Sequence, residues 1–341
     1  MKSRSLQVPR SEGERARQRL REANALRGDL KIHEEGGWLF LPLVADAEVS
    51  PEAGAVAEHD FQPATDRGPH DYRELLTSWP AEEREELPRS YDVVGDIVLI
   101  RLPPVLASRA PEVGAALLRF VPGSRLVGAD YGVHGPERRR EVQRLAGSGP
   151  WRTRHRENGL DFEVDLARAY FSPRLAREHA RVAAEVGKGQ RVYDLCCGVG
   201  PFALTIAHTS DPARVVAVDS NPAAIELLRA TAARVVGGQT IQAVEAPVDR
   251  FLESAEPVER VILNLPHEGI KYLASVGNVV APAGRLFYYE VTDRADAAAR
   301  PEHLLRELGG RTSWHLRARR VVHPYSPAAD LVSYTFERSP A

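Results

Sequence analysis

Residues 192–202 read Val-Tyr-Asp-Leu-Cys-Cys-Gly-Val-Gly-Pro-Phe, and residues 215–222 read Val-Val-Ala-Val-Asp-Ser-Asn-Pro. The spacing predicts an apolar strand from Arg191 to Leu195, a turn marked by Gly198 and Gly200, and a helix from about Pro201 to His208. A second strand, Val215 to Val218, ends on Asp219. This is the first half of a nucleotide-binding βαβ unit, in which glycines let the backbone approach a ligand at a helix N-terminus. The glycine spacing separates two ligand classes. A dinucleotide turn carries Gly-x-Gly-x-x-Gly for a pyrophosphate, but position 203 is Ala, and an acid, Asp194, stands four residues before the first glycine. Asp-x-x-x-Gly-x-Gly suits a ligand with an ammonium and no phosphate, namely S-adenosylmethionine. On this reading Asp194 helps anchor the methionine end and Asp219 accepts both ribose hydroxyls.

The bulk numbers bound the size and class of the chain. Its 341 residues suffice for about two domains, each with a full core. Hydrophobic content of 43% and charged content of 27% are those of a soluble globular protein. No run of 18 or more apolar residues offers a membrane span, and the N-terminus lacks the apolar core of a secretory signal. The two cysteines, Cys196 and Cys197, are adjacent inside the glycine turn; vicinal cysteines seldom bridge, so they read as small turn residues in a reducing cytosol. No second Cys/His pair has ligand spacing, so no metal is expected. A net charge of −2 argues against a chain coated for nonspecific nucleic-acid binding. Three arginine runs (138–140; 152, 154 and 156; 317, 319 and 320) are either solvated faces or contacts to an anionic substrate.

Along the chain, residues 10–27 predict an amphipathic helix with Ala16, Leu20, Ala23 and Leu26 at helical spacing. Strands from Leu30 to His33 and Trp38 to Val44 flank a Gly36-Gly37 hairpin signal, making residues 1–45 a small N-terminal module. Residues 46–88 lack periodicity and read as a linker with one short helix near Glu82 to Glu86. Residues 89–160 form a middle α+β domain: a strand from Val93 to Leu102, a helix from Val113 to Phe120, and a strand from Leu126 to Ala129. The remainder, 161–341, alternates strand and helix, which indicates a doubly wound, mostly parallel sheet. Its two last strands, near 316–322 and 331–337, fit the antiparallel hairpin edge of class I methyltransferase sheets. The expected fold class is therefore α/β, a class I (Rossmann-like) methyltransferase domain behind small N-terminal α+β domains.

A second motif, Asn264-Leu265-Pro266-His267, follows the apolar strand Val261 to Leu263 at the carboxyl edge, where ligands sit in open α/β sheets. An amide there offers a donor and an acceptor to a base edge, and the proline fixes the turn. Methyltransferases acting on exocyclic amines end a related loop with an aromatic that stacks on the base; here that place holds His267. Upstream, Tyr170-Phe171-Ser172-Pro173-Arg174-Leu175 precedes a helix carrying Glu178 and Arg181. From spacing alone Glu178 is as much a helix-face partner of Arg174 or Arg181 as a catalytic acid.

These residues together resemble the archaeal and eukaryotic type of tRNA guanosine-37 N1-methyltransferase. The similar stretches are IHEEGGWLFLPL, PRSYDVVGDIVLI, GPERRRE, HRENGLDFEVDLARAYFSPRLAREHARV, VYDLCCGVGPF, VDSNPAAIELL, VILNLPHEGIKYL and PYSP, in the same order along nearly the whole chain. The resemblance implies a small N-terminal domain that contacts the outer corner of tRNA, and middle and catalytic domains that handle the anticodon loop. It also implies roles. Guanine N1 carries a proton and is a poor nucleophile until that proton leaves, so a general base is needed; Glu178 matches that base. Arg138, 40 residues earlier, matches an arginine that stabilises charge growing on O6. Asn264 and Pro266 match the loop that holds the flipped guanine, and Tyr170 matches an aromatic beside the cofactor. Extruding a base from an anticodon loop costs less than from a duplex.

The chain departs from the family at several points. The acid usual after the third strand is Pro247, with Asp249 two residues on. The basic residue before Tyr-x-Pro is His323, Pro324 replaces a small polar residue, and Ala328-Ala329 replaces polar residues. The expected cofactor-binding set is Tyr170, Asp194, Cys196, Gly198, Gly200, Phe202, Asp219, Asn221, Asp249 and Asn264, and the catalytic set Glu178, Arg138, Asn264 and Pro266. The implied reaction transfers a methyl from S-adenosylmethionine to N1 of guanosine 37, in a cytoplasmic monomer that binds tRNA and neither DNA nor membrane. A sibling that transfers an aminocarboxypropyl group, or acts on another RNA or a small molecule, is the nearest rival. A noncatalytic RNA-binding protein is the rival of another class.

Overall fold

A strand hidden in the first nine residues organises the N-terminal unit. In β1 (Lys2–Pro9) the inward positions are Ser3, Ser5, Leu6 and Val8. The two serines mask the apolar alternation, and each hydroxyl donates to a carbonyl, Ser3 to Leu43 and Ser5 to Ala57. Helix α1 (Gly13–Glu22) follows, shorter than the 10–27 expected from its spacing. Then come β2 (His33–Glu35), β3 (Trp38–Pro42) and β4 (Ala55–Asp60), in the antiparallel order β2-β3-β1-β4. Leu6, Val8, Leu20, Leu41 and Leu43 form the core of this unit. The stretch read as a linker from 46 to 88 thus contains a strand. β4 escapes pattern reading because none of its residues is buried; it is an edge held by backbone pairing to β1.

The computed structural model describes every residue except 48, 51–52, 65–68, 136–138, 236, 311–312 and 341. It divides into two compact units, Met1–Leu75 and Leu76–Ala341.

The second unit opens with α2 (Ala81–Glu85), the short helix expected near residue 82. The apolar run 93–102 is a hairpin of β5 (Asp92–Val94) and β6 (Ile97–Ile100), and not one strand. Gly95, at φ +57°, makes the corner, where a Cβ would lie 2.3 Å from the Arg154 carbonyl oxygen. With α3 (Ala110–Phe120), β7 (Leu126–His134) and β8 (Arg139–Gly147) it builds a sheet of order β5-β6-β7-β8. A separate hairpin, β9 (Arg152–Glu157) and β10 (Leu160–Asp165), leads onward. The buried cluster runs without a break from Val94, Ile97 and Leu126 through Phe162 and Phe171 to Val192 and Val215. The middle module and the α/β module therefore share one core.

The α/β module proceeds through α4 (Ala176–Ala184), β11 (Arg191–Leu195), α5 (Pro201–Thr209), β12 (Arg214–Asp219) and α6 (Pro222–Ala232). Next come β13 (Ile241–Glu245), α7 (Val248–Leu252), β14 (Val258–Asn264), α8 (Leu273–Asn278) and β15 (Val280–Asp293). It closes with α9 (Arg300–Glu307), β16 (Trp314–Pro324) and β17 (Ala329–Arg338). The seven-stranded order is β13-β12-β11-β14-β15-β17-β16, with β11 to β15 parallel and the final two strands antiparallel. Strand order reverses between β11 and β14. A crevice opens at the carboxyl ends of two such strands because their connections leave in opposite directions. The ends here are Leu195 and Asn264, the residues that lead into the two motifs.

Candidate active site

The turn after β11 is built by its own backbone and by the acid that ends β12. Cys197 N–H donates to the Val218 carbonyl at 2.9 Å, tying the turn to the neighbouring strand. One Asp219 oxygen accepts from Gly198 N–H at 2.7 Å and the other from Asn221 N–H at 2.9 Å. Asn221 caps α6 by accepting from Ala223 N–H, and donates from its amide to the Arg168 carbonyl. The chain direction at the end of β12 is thereby fixed at three points.

A cavity of about 540 Å³ opens above this turn. Tyr170, Cys196, Gly198, Asp219, Asn221 and Asp249 line one part of its wall. Asn264 and Pro266 line another. The Asn264–Pro266 loop is anchored where Val291 N–H donates to the Pro266 carbonyl at 3.1 Å and Gly269 N–H to the Leu265 carbonyl at 2.7 Å. Asn264 Oδ1 is buried with no partner among the described residues. A buried acceptor left open beside a cavity is a site for a ligand donor.

Four expected residues lie outside the wall. Asp194 is 1% exposed beneath the turn, one oxygen accepting from Ala203 N–H at 3.0 Å and Oδ1 without a partner among the described residues. Burial pushes its carboxyl up to about 7. Gly200 serves the backbone: at φ +79° it caps α5, and a Cβ there would lie 2.3 Å from Leu228 Cδ1. Phe202 is a core residue, its ring centroid 4.5 Å from His179 and 5.5 Å from Tyr289. Glu178 is buried on α4, held by Arg181 at 2.5 and 2.9 Å and by the Tyr289 hydroxyl at 2.8 Å. Burial alone would raise its carboxyl, but Arg181 and Tyr289 outweigh that and hold it below the usual range. Arg138 lies outside the described residues.

Gly200→Ala is expected to destabilise the chain by about 1–3 kcal/mol through the left-handed backbone alone, with the Leu228 clash added. A denaturant midpoint equal to the wild type's would show that the turn relaxes freely.

Residues that pattern reading missed come from distant segments. His179 lines the cavity, fully buried, with Nδ1 2.6 Å from Glu157 Oε1. Arg140, buried at the end of the first arginine run, pairs with Asp130, donates to the Phe171 carbonyl at 2.9 Å and lies 5.3 Å over the Tyr170 ring. It binds the middle sheet to the segment that walls the cavity. In the second run Arg152 and Arg154 share Glu163 and Arg156 meets Asp161, and in the third Arg317 meets Glu337. Tyr325, from the turn between β16 and β17, reaches the cavity beside His267. Among the described residues no helix is long and apolar enough to cross a membrane, and no His/Cys/Asp/Glu group has metal-site geometry.

Comparison with known proteins agrees with this geometry. Residues 153–330 match the model of the TRM5/TYW2 methyltransferase domain. The chain belongs to the TRM5/TYW2 methyltransferase family. Residues 72–150 match the TYW2 N-terminal domain, and residues 5–51 the tRNA methyltransferase 5 N-terminal domain. The tRNA (guanine(37)-N(1))-methyltransferase Trm5b of Pyrococcus abyssi is 30% identical, over 98% of this chain and 99% of its own. Its crystal structure superposes with a TM-score of 0.78, covering 99% of each chain. The complex of aTrm5 with tRNALeu gives a TM-score of 0.70 at 28% identity, covering 98% of this chain and 99% of that one. A Pyrococcus horikoshii tRNA(Phe) (4-demethylwyosine(37)-C(7)) aminocarboxypropyltransferase is 32% identical, over 47% of this chain and 55% of its own.

The residues fit the family's donor, S-adenosylmethionine. The orphaned Asp194 Oδ1 lies below the turn, and Asp219, Gly198 and Tyr170 form the wall above it. The Cys196 backbone, at φ +60°, is in the left-handed region within that wall. Burial pushes the Cys197 thiol well up, with Asp194 and Asp219 adding to the effect, so it stays protonated and inert.

Proposed function

We propose that this chain transfers a methyl group from S-adenosylmethionine to N1 of guanosine 37 in tRNA. One observation carries the reading. A single switch-point cavity is walled by the acid–glycine turn and by the Asn264-Leu265-Pro266 loop, in a chain that matches a guanine-37 methyltransferase end to end.

Asp219, Asn221, Gly198, Tyr170 and Asp249 hold the donor, which supplies an electrophilic methyl when bound. Asn264 orients the guanine by offering its open Oδ1 to a base N–H, and Pro266 keeps the loop rigid. Glu178, ionised and one helical turn beyond the wall residue Leu175, accepts the N1 proton once its Arg181 pair opens to the incoming base. Arg138 stabilises the charge that grows on O6 as that proton leaves. Extruding a loop base and closing it into the cavity removes water from the reacting nitrogen. A cytoplasmic location and action as a monomer complete the reading; the tRNA substrate and two cysteines not joined in a disulfide fit a cytosolic enzyme.

The test uses donor labelled in the methyl group or in the carboxyl group, with tRNA transcripts bearing G37 or A37. Methyl label is expected in G37 transcripts alone. Carboxyl label in the RNA would establish aminocarboxypropyl transfer, and equal methyl label in both transcripts would overturn the position-37 assignment.

A further inference from the structure

We propose that Tyr325 provides the aromatic face on which the target guanine lies, and that His267 holds that ring in place. The inference rests on the guanosine-37 reading and names a further specificity-determining contact of the same cavity. The loop after β14 places His267 where methyltransferases acting on exocyclic amines place a stacking aromatic, so the loop itself brings no tyrosine or phenylalanine ring to the base. The structure brings the missing ring from elsewhere in the chain. Tyr325 lines the same cavity as Asn264 and Pro266. Its hydroxyl is 3.1 Å from His267 Nε2, and the two rings meet edge to face with centroids 5.4 Å apart and planes at 66°.

Three features separate this tyrosine from ordinary surface decoration. The residue is 52% exposed while it lines the cavity, so its aromatic surface is open to a ligand there. Its backbone is not loose: Tyr325 N–H and Ser326 N–H both donate to the Ala329 carbonyl at 2.9 Å, and Arg294 donates to the Pro327 carbonyl and pairs with Asp330. Finally, the His267 bond takes up the hydroxyl and sets the ring's tilt, so the ring is already positioned before a base arrives. Every nucleobase has a π-face, and a fixed aromatic meets it at little cost in order.

The experiment compares Tyr325→Ala, Tyr325→Phe, His267→Ala and the Phe/Ala double variant, all in the full chain. It uses G37 tRNA for kinetics and tRNA with 2-aminopurine at position 37 for fluorescence. Tyr325→Ala is expected to lower kcat/KM by roughly 10- to 100-fold and to abolish the quenching that wild-type binding produces. Tyr325→Phe should retain quenching and lose less. Because Tyr325→Phe and His267→Ala remove the same bond, the double variant should be no worse than either single one. A Tyr325→Ala protein with wild-type melting, wild-type quenching and kcat/KM within about twofold would overturn the assignment. So would additive losses, as regards His267. Quenching by the wild type that Tyr325→Ala abolishes, without methyl transfer by the wild type, would condemn the guanosine-37 reading and leave the stack standing.

Discussion

Glu178→Gln is expected to cut turnover on G37 tRNA by roughly 10²–10⁴-fold, the usual scale for losing a general base, with donor affinity unchanged within a few fold. The substitution keeps the shape of the side chain and its bond from the Tyr289 hydroxyl, and removes the charge. The same charge, however, neutralises a half-buried arginine, so stability alone could mimic a catalytic loss. Arg181→Met separates the two. It leaves the carboxylate and takes away its partner; removing one member of a buried pair costs about 3–5 kcal/mol, less here because the Arg181 side chain keeps 19% exposure. If Glu178 is the base, Arg181→Met melts lower yet retains turnover below its melting temperature, while Glu178→Gln does not. If both lose turnover in proportion to their melting, Glu178 is only a structural partner. The ionised form also persists into acid. Because the folded carboxyl lies below its unfolded value of 4.5, its stabilising contribution is fully present above that value. It is lost only as pH falls through the lower, folded value, so Glu178 adds no acid limb to a pH–rate profile near neutrality.

Asp194→Asn is expected to act in opposite directions on the empty and the loaded protein. The folded carboxyl lies near 7 against 3.8 unfolded, so between these values the native chain holds a proton that the unfolded chain has released. Stability of the free protein therefore falls as pH rises through that window, by at most about 1.4 kcal/mol per pH unit for one proton. Asparagine removes this slope and should raise the melting temperature at pH 8. A cationic ligand above the turn favours the carboxylate, so donor binding should release a proton and weaken below about pH 7. In Asp194→Asn that pH dependence should vanish and affinity fall by roughly 10- to 100-fold, the scale of one charged hydrogen bond. Calorimetry in two buffers of different ionisation enthalpy reads the proton directly. Binding that releases none, at an affinity the variant shares, would remove Asp194 from donor recognition.

What the chain reveals before folding depends on the range of the contacts involved. The turn at 196–200, Asp219 and the Asn264–Pro266 loop were legible because each follows directly from the end of a strand, and strand ends in such a sheet converge. Spacing could not distinguish side chains that line the cavity from those set behind its lining, and Asp194, Gly200 and Phe202 stand outside that wall. β1 and β4 were illegible for opposite reasons. Serines fill inward positions of β1, whereas β4 has no buried position to mark. Tyr325 stood in the PYSP stretch and Arg140 in an arginine run, but their roles were illegible, since what they do depends on partners in other parts of the fold: His267 for one, Phe171 for the other.

The guanidinium of Arg140 has a bearing on how such enzymes are dissected. It crosses from β8 to grip the Phe171 carbonyl and cover the Tyr170 ring, so a fragment cut near residue 153, where the catalytic family match begins, would lose the brace behind these two wall residues. The transferase half is not a cassette that can be grafted onto another RNA-binding partner. Any chimera must carry the preceding sheet with it.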